Sequence, residues 1–250
     1  MKVAKMYNTQ TRGRVRWTDF ILPVLIIVIA VFWSSYAIAH PRDMMVANFL
    51  TTSRLLQSLR QHIYLILVSA ALAIVTALPL GLILTRPAFR HVCGIVTAVI
   101  NVLQSIPSFA VIALIFSFTG VGARTAIIAI WAYSILPILN NTIAGIRGVD
   151  SFVKDSAKGM GMKKAAVLFK IEIPLAIPVI IAGIRTAVVI NVGTAVIAAF
   201  IGAGGLGDFI IAGKNTSRYA VMLIGAGLAS LLALFLDSMI GLVEKALQNR

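Results

Sequence analysis

The sequence predicts an all-α integral membrane protein with about six transmembrane helices. Hydrophobic residues make up 60% of the 250 positions and charged residues only 12%, about half the charged fraction of a typical soluble domain. The apolar residues are gathered in runs of about 20, which is long enough for a helix to cross the hydrocarbon core of a membrane. Lys and Arg outnumber Asp and Glu by 22 to 8. Because these cations lie mostly between the apolar runs, they indicate membrane topology rather than nucleic-acid binding.

The first apolar run covers residues 20–39 and follows a basic tail at residues 1–19. The run resembles the hydrophobic region of a signal peptide, and Ala37-Ile38-Ala39 imitates a cleavage site. The hydrophobic region of a signal peptide is typically only about 7 to 15 residues long, however, which is shorter than this run. We therefore interpret residues 20–39 as an uncleaved first transmembrane helix after a cytoplasmic tail, and the signal peptide is the alternative.

Five further apolar stretches complete the predicted spans: 63–84, 92–117, 126–144, 177–203 and 220–243. Residues 40–61 are polar enough to form an outer loop, with a short amphipathic helix near 50–59. Six crossings place both ends of the chain on one side. With cytoplasmic ends, the inner segments hold fifteen Lys or Arg and the outer segments six. The positive-inside rule therefore selects the N-in, C-in orientation.

Only two charged residues fall well inside the predicted spans, Arg185 and Asp237. Each lies roughly 9 to 12 Å from the inner end of its helix at about 1.5 Å per residue. A lone charge at the centre of a membrane helix costs about 2.5 to 3.5 kcal/mol. We therefore predict an intramembrane ion pair that locks two helices, and a gating or substrate role is the alternative.

Several motif-like segments lack the context that their chemistry requires. The glycines of residues 202–207 match the dinucleotide fingerprint, but no strand precedes them, so we interpret them as the end of a membrane helix, where backbones pack closely or the helix breaks. Gly213 and Lys214 lack the neighbours of a phosphate-binding loop. The single Cys93 is interpreted as a small buried residue. The histidines occupy separate loop or boundary positions without metal-ligand spacing: His40, His62 and His91. No catalytic or metal site is predicted.

The loop at residues 145–176 is the most basic connection between spans. Asp150 and Ser151 are suitable helix N-caps, and residues recur at helical spacing as far as Lys164, which predicts a short surface helix. Pro174 and Pro178 indicate the start of the next membrane helix. The residues alone leave two interpretations open, a docking surface with little side-chain bulk and a loop whose cations only set topology.

The same loop resembles the coupling motif of ATP-binding-cassette (ABC) importer permeases, which is Glu-Ala-Ala, three residues, Gly, nine residues and Ile-x-Leu-Pro. The matching positions are Asp155, Ser156, Ala157, Gly161, Ile171, Ile173 and Pro174. Asp replaces Glu, Ser replaces Ala, and Ile replaces Leu. The resemblance implies that this helix docks in a groove of an ABC ATPase subunit and carries its closure into the membrane.

Shorter segments in the same order resemble permeases for glycine betaine, choline and related osmoprotectants: 103–108, 158–162, 174–176, 182–186 and 201–207. The resemblance extends over about residues 55–245. It implies a type I permease of the bacterial inner membrane that pairs with itself or a sister permease. ABC ATPases and a separate periplasmic binding protein are the other implied partners. ATP would be bound by the ATPase, and no cofactor by this chain.

A candidate translocation path combines a helix interruption with two aromatic residues. Gln104, Ser105 and Pro107 interrupt the third predicted span, and a Pro there frees backbone carbonyls that need protein or water beside them. Trp131 and Tyr133 are candidates for a weaker solute site, although aromatic residues in spans more often pack or mark the interface.

The sequence also leaves alternative functions open. They are a permease for another small solute such as an amino acid, an ion-coupled secondary carrier, and an anchoring protein that binds a partner through the same loop. The scarcity of carboxylates within the spans argues against the carrier.

Overall fold

The computed structural model describes residues 16–248 and is entirely helical over that range, apart from short turns. The predicted tail at 1–19 therefore lies outside the described residues except for its last four positions. The helices are α1 Ile21–Ala39, α2 Met44–Phe49, α3 Thr52–Leu84, α4 Arg90–Gln104, α5 Ser108–Thr119, α6 Ala123–Arg147, α7 Ser151–Gly159, α8 Lys164–Val167, α9 Ile173–Ala198, α10 Gly207–Asn215 and α11 Tyr219–Gln248. The all-α prediction is confirmed.

Five helical segments of the described chain are long and apolar enough to cross a membrane. They are Trp17–Ala39, Thr52–Leu84, Ala123–Arg147, Lys164–Ile201 and Tyr219–Leu247. Helices α4 and α5 meet the same criterion only as a pair, which is bent by 97°. Whether the bent pair is one crossing or a re-entrant loop is decided by the directions of its neighbours.

Helices α3 and α6, on either side of the bent pair, run in the same direction. The Ser69 hydroxyl donates to the Ile127 carbonyl at 3.3 Å, and twelve residues further along α3 Gly81 packs against Thr142. Contacts that advance together along both helices require a parallel pair. Because only α4 and α5 connect the inner end of α3 to the outer end of α6, they return the chain across the membrane. The described chain therefore makes six crossings, as predicted.

Helix α3 is longer than the predicted second span. It begins at Thr52 rather than at residue 63 and has 33 residues, or roughly 50 Å at 1.5 Å per residue. The Thr51 side chain caps it by accepting from the Arg54 amide. The separate amphipathic helix predicted near 50–59 is therefore wrong. Apolar composition identified only the most hydrophobic part of α3, because its more polar first turns continue the same helix.

Helix α6 lies at the centre of the fold, between α3 and α9. Small residues bring α9 close to it. A Cβ atom added at Gly183 would lie 2.5 Å from the Asn141 Cβ, and Gly145 of α6 faces Ala176 of α9 in the same way. Helix α1 packs on α11, where the Trp33 ring occupies the space above Gly227. Close packing of this kind stabilises helix pairs in lipid, where hydrophobic burial contributes little.

Candidate coupling site

The basic loop contains a short helix with defined ends, as predicted. Helix α7 starts after Asp150, whose Oδ1 accepts from the Phe152 amide at 2.8 Å. It ends at Gly159, earlier than the predicted Lys164. The Gly161 amide donates to the Lys158 carbonyl and the Met162 amide to the Ala157 carbonyl, which is the hydrogen-bond pattern of a Schellman turn. Gly161 has φ +81°, and this left-handed conformation favours glycine.

Gly161→Ala should therefore loosen the C-terminal turn of α7, whereas Gly159→Ala should not. A Cβ atom at either position meets nothing within 4 Å, but only Gly161 has a positive φ. We expect a cost of about 1 kcal/mol at Gly161 and a gain of up to about 1 kcal/mol at Gly159. Hydrogen exchange of the α7 amides measures the difference, and equal protection in the two variants would contradict this role of Gly161.

Helix α7 has an inner and an outer face. The Ala157 side chain is buried and that of Lys154 is half-buried, so this face lies against the rest of the chain. The opposite face consists of exposed residues: Phe152, Asp155, Ser156 and Gly159. Phe152 is 76% exposed, which is unusual for a large apolar residue outside lipid. Ala157, which matches the coupling motif, is therefore an anchor of the helix and not part of its outer surface.

Asp155 takes the place of the acidic residue of the motif. Its Oδ1 accepts a hydrogen bond from the Lys158 ammonium at 2.8 Å. This bond, together with the positive charge of Lys158, lowers the pKa of the Asp155 carboxyl below its usual value. The outer face of α7 therefore carries a carboxylate that is paired with Lys158.

The end of the motif is built into the next membrane helix. Ile171 lies in a π-helical turn at Leu168–Glu172, and Ile173 and Pro174 are the first residues of α9. The helical segment thus starts at Lys164, not at the predicted residue 177. A proline has no amide hydrogen and its ring collides with the carbonyl of the preceding turn. The wider turn directly before Pro174 lets the helix continue into the membrane.

An unpredicted salt bridge holds this turn in place. The Arg86 guanidinium, directly after α3, lies 2.6 Å from the Glu172 carboxylate. Glu172 is 9% exposed. It is the only acidic residue between Asp155 and Asp208, and that isolation in a basic loop was the signal for a paired role. The bridge connects the coupling loop to the inner end of α3.

The structure brings Arg185 and Asp237 together between α9 and α11. Two parallel hydrogen bonds of 2.5 Å join the guanidinium to the carboxylate, and the Glu244 carboxylate lies 3.8 Å from the same guanidinium. Bidentate geometry of this kind fixes the relative position of two helices.

We expect Asp237→Ala to destabilise the protein because it leaves Arg185 with only the distant Glu244. The side chains of the pair are 37% and 35% exposed, so the cost should be about 1 to 2 kcal/mol, below that of breaking a fully buried pair. Arg185→Met combined with Asp237→Ala should recover part of the loss. The melting temperature of the purified protein is the measurement. A double variant no more stable than Asp237→Ala would argue against an ion pair that holds α9 and α11 together.

The candidate pathway residues occupy two places. Gln104, Ser105 and Pro107 form the 97° break between α4 and α5, and all three are exposed. Trp131 is half-buried and its indole nitrogen donates to the Thr76 hydroxyl at 3.1 Å. Tyr133, two positions along the same helix, points away from Trp131 because residues i and i+2 do not share a face. The two aromatic residues therefore do not form a single site.

The outer end of the fold corrects one prediction and confirms another. His62 lies within α3 and is fully buried, rather than at a boundary. It packs against Gly205, whose amide donates to the Gln61 side chain at 3.3 Å. Gly202, Gly204 and Gly205 have positive φ angles, so this segment is a helix break, as predicted.

Cys93, in the first turn of α4, is buried, also as predicted.

Six crossings, the capped helix α7 and its connection into the fifth span agree with the permease class of ABC importers that the motif resembles. The chain belongs to the family described as binding-protein-dependent transport system inner membrane component, whose profile matches residues 77–249. It is therefore an inner-membrane transport subunit.

Characterised relatives cover most of the chain. The choline transport system permease protein OpuBB of Bacillus subtilis is 40% identical over 204 residues, 81% of this chain and 93% of the relative. The carnitine transport permease protein OpuCB of Listeria monocytogenes is 44% identical over 74% of this chain and 84% of its own length. The osmoprotectant import permease protein OsmY of Salmonella typhimurium is 37% identical over 72% of this chain and 77% of its own length.

A solved structure supports the fold. A chain of the inward-facing MetNI methionine ABC transporter superposes with a TM-score of 0.69 over 78% of this chain and 96% of its own length. Its sequence identity is 21%, so the likeness concerns the fold alone.

Proposed function

We propose that this chain is the permease subunit of an ATP-driven importer for osmoprotectants of the choline, glycine betaine and carnitine type. We infer the substrate class from the relatives at 37 to 44% identity, which are named for choline, carnitine or osmoprotectants. These compounds share a quaternary ammonium group, which aromatic residues recognise by cation–π attraction. We place the main selection in a periplasmic binding protein, which delivers the solute to the permease.

The proposed energy source is a separate ABC ATPase that docks on the outer face of α7. Phe152 offers an apolar anchor on this face and Asp155 an anion. Movement of α7 would reach α9 through the short connection at Lys164 and α3 through the bridge between Arg86 and Glu172. Two permease subunits, identical copies or sisters, would enclose the path, which then alternates between inward- and outward-facing states.

Within the path we assign the solute contact to the break between α4 and α5. Gln104 and Ser105 are exposed polar residues there, and the Pro107 ring leaves backbone carbonyls free to face water. Trp131 is a weaker candidate because its indole nitrogen is already hydrogen-bonded to Thr76, and Tyr133 lies on another side of α6.

Reconstituted transport tests this proposal. Proteoliposomes containing the permease, its ATPase and its binding protein should accumulate labelled choline, glycine betaine or carnitine only when ATP and the binding protein are on opposite sides of the membrane. Methionine in excess is the matched competitor, because the structural relative carries it, and it should leave uptake unchanged.

Two results would contradict the proposal. Uptake that persists without ATP and stops with an ionophore would indicate an ion-coupled carrier. Competition by methionine but not by unlabelled betaine would indicate an amino-acid permease.

A further inference from the structure

A basic cavity lies between the inner face of α7 and the cytoplasmic ends of α3 and α6. Its volume is about 260 Å³. Five cationic side chains and one acidic side chain line it: Arg86, Arg147, Lys154, Lys158, Lys164 and Glu172. Phe152 and Asp155 do not line this cavity, although Lys158, which lines it, is paired with Asp155.

Ion pairs within the protein neutralise only part of this charge. Glu172 is paired with Arg86, and Lys158 is paired with Asp155. Arg147, Lys154 and Lys164 form no salt bridge with any acidic residue in the range 16–248. Three unneutralised cations around one cavity repel one another, and an anion with several acceptor oxygens would remove that repulsion.

A neighbouring cavity extends from the same cations to α4. A second cavity of about 540 Å³ shares Arg86 and Arg147 with the first and reaches Gly94 on α4. Another face of α4 carries an apolar stripe with helical spacing: Val92, Ile95, Val99 and Val102. These side chains are 47 to 67% exposed. A ligand with an anionic head and an apolar tail matches both the charge of the cavity and the exposed apolar surface of the neighbouring helix α4.

We propose that this cavity binds the headgroup phosphate of an anionic phospholipid, with the acyl chains along the exposed stripe of α4. The bound headgroup would brace the inner face of the coupling helix against the membrane surface. The proposal does not depend on which solute the permease carries, because it rests on the cavity and its charges alone.

The test compares two double variants that remove the same charge from the same loop. Lys154→Gln with Lys164→Gln removes two cations that line the cavity, whereas Lys163→Gln with Lys170→Gln removes two exposed cations that do not. The full-length permease is reconstituted in nanodiscs containing phosphatidylglycerol and phosphatidylcholine and then released, and native mass spectrometry measures the retained lipid. The cavity variant should hold phosphatidylglycerol roughly 30-fold more weakly, at about a fivefold to sixfold loss per cation. The control variant should resemble the unmodified protein.

Lys154→Arg with Lys164→Arg should restore retention because it keeps the charge, which separates loss of binding from misfolding. Equal loss in the two Gln variants would overturn the proposal in favour of diffuse surface charge. Absence of retained lipid from the unmodified protein would also overturn it. So would displacement of the lipid by millimolar inorganic phosphate without preference for phosphatidylglycerol, since that result would indicate a free-phosphate site.

Discussion

Gly183→Leu should destabilise the packing of the transmembrane core. Helices α6 and α9 cross at this glycine, where an added Cβ would lie 2.5 Å from the Asn141 Cβ and 3.0 Å from the Pro137 carbonyl oxygen. Real Cβ atoms do not approach so closely, so the two helices must separate. Overpacking costs about 1 to 3 kcal/mol, and Leu against backbone belongs at the upper end. That cost corresponds to a melting temperature lower by roughly 6 to 12 °C.

The matched control is Gly193→Leu, ten residues further along the same helix. Gly193 is exposed and a Cβ there meets nothing within 4 Å. Thermal unfolding of both variants, followed by size-exclusion chromatography in detergent, should show the loss at Gly183 alone. If the two variants had the same melting temperature, the destabilisation would come from helix propensity rather than from the crossing of α6 and α9.

Phe152→Asp should abolish most ATP-driven uptake while leaving the protein folded. Phe152 lies on the outer face of α7 and is 76% exposed, so its replacement removes no contact of the core. In a docked complex the new carboxylate would be desolvated beside Asp155, and an apolar anchor of the interface would be lost. Loss of such an anchor typically costs about 2 kcal/mol or more, or roughly 30-fold in affinity for the ATPase.

Phe169→Asp provides the control, because Phe169 is also an exposed aromatic residue of the same loop, at 65%. Co-purification of the ATPase and uptake in proteoliposomes should be lost with Phe152→Asp and retained with Phe169→Asp. An equal loss in both variants would assign the contact to the loop as a whole and contradict a specific docking face on α7.

The sequence predicted the membrane part of the fold because hydrophobic length and the distribution of cations are properties of the chain itself. Six crossings, the break near Pro107 and the capped helix after Asp150 all followed from them. Helix boundaries were less accurate. The predicted second span lacked the first eleven residues of α3, and the fifth began thirteen residues late. Polar turns and a π turn before a proline do not interrupt a helix that tertiary contacts support.

The coupling motif, too, was only partly predictable from the sequence. Its spacing identified seven residues, but spacing along a chain does not determine which side of a helix faces the membrane-embedded part of the chain. Ala157 is buried while its neighbours Asp155 and Ser156 are exposed. Gly161 provides a left-handed turn rather than only a small surface. The Glu172 partner, Arg86, is 86 positions away in the sequence, so no local pattern indicated it.

The orientation and the motif of the basic loop follow from the sequence by itself, because charge count and residue spacing are properties of the linear chain. Its division into an exposed docking face and a cationic inner cavity was decided only by the fold. That cavity is formed where the ends of α3 and α6 meet α7, and the distances among three separate segments depend on how the helices pack. Sequence thus determined which residues form the basic loop between the spans, and tertiary structure determined which of them face one another.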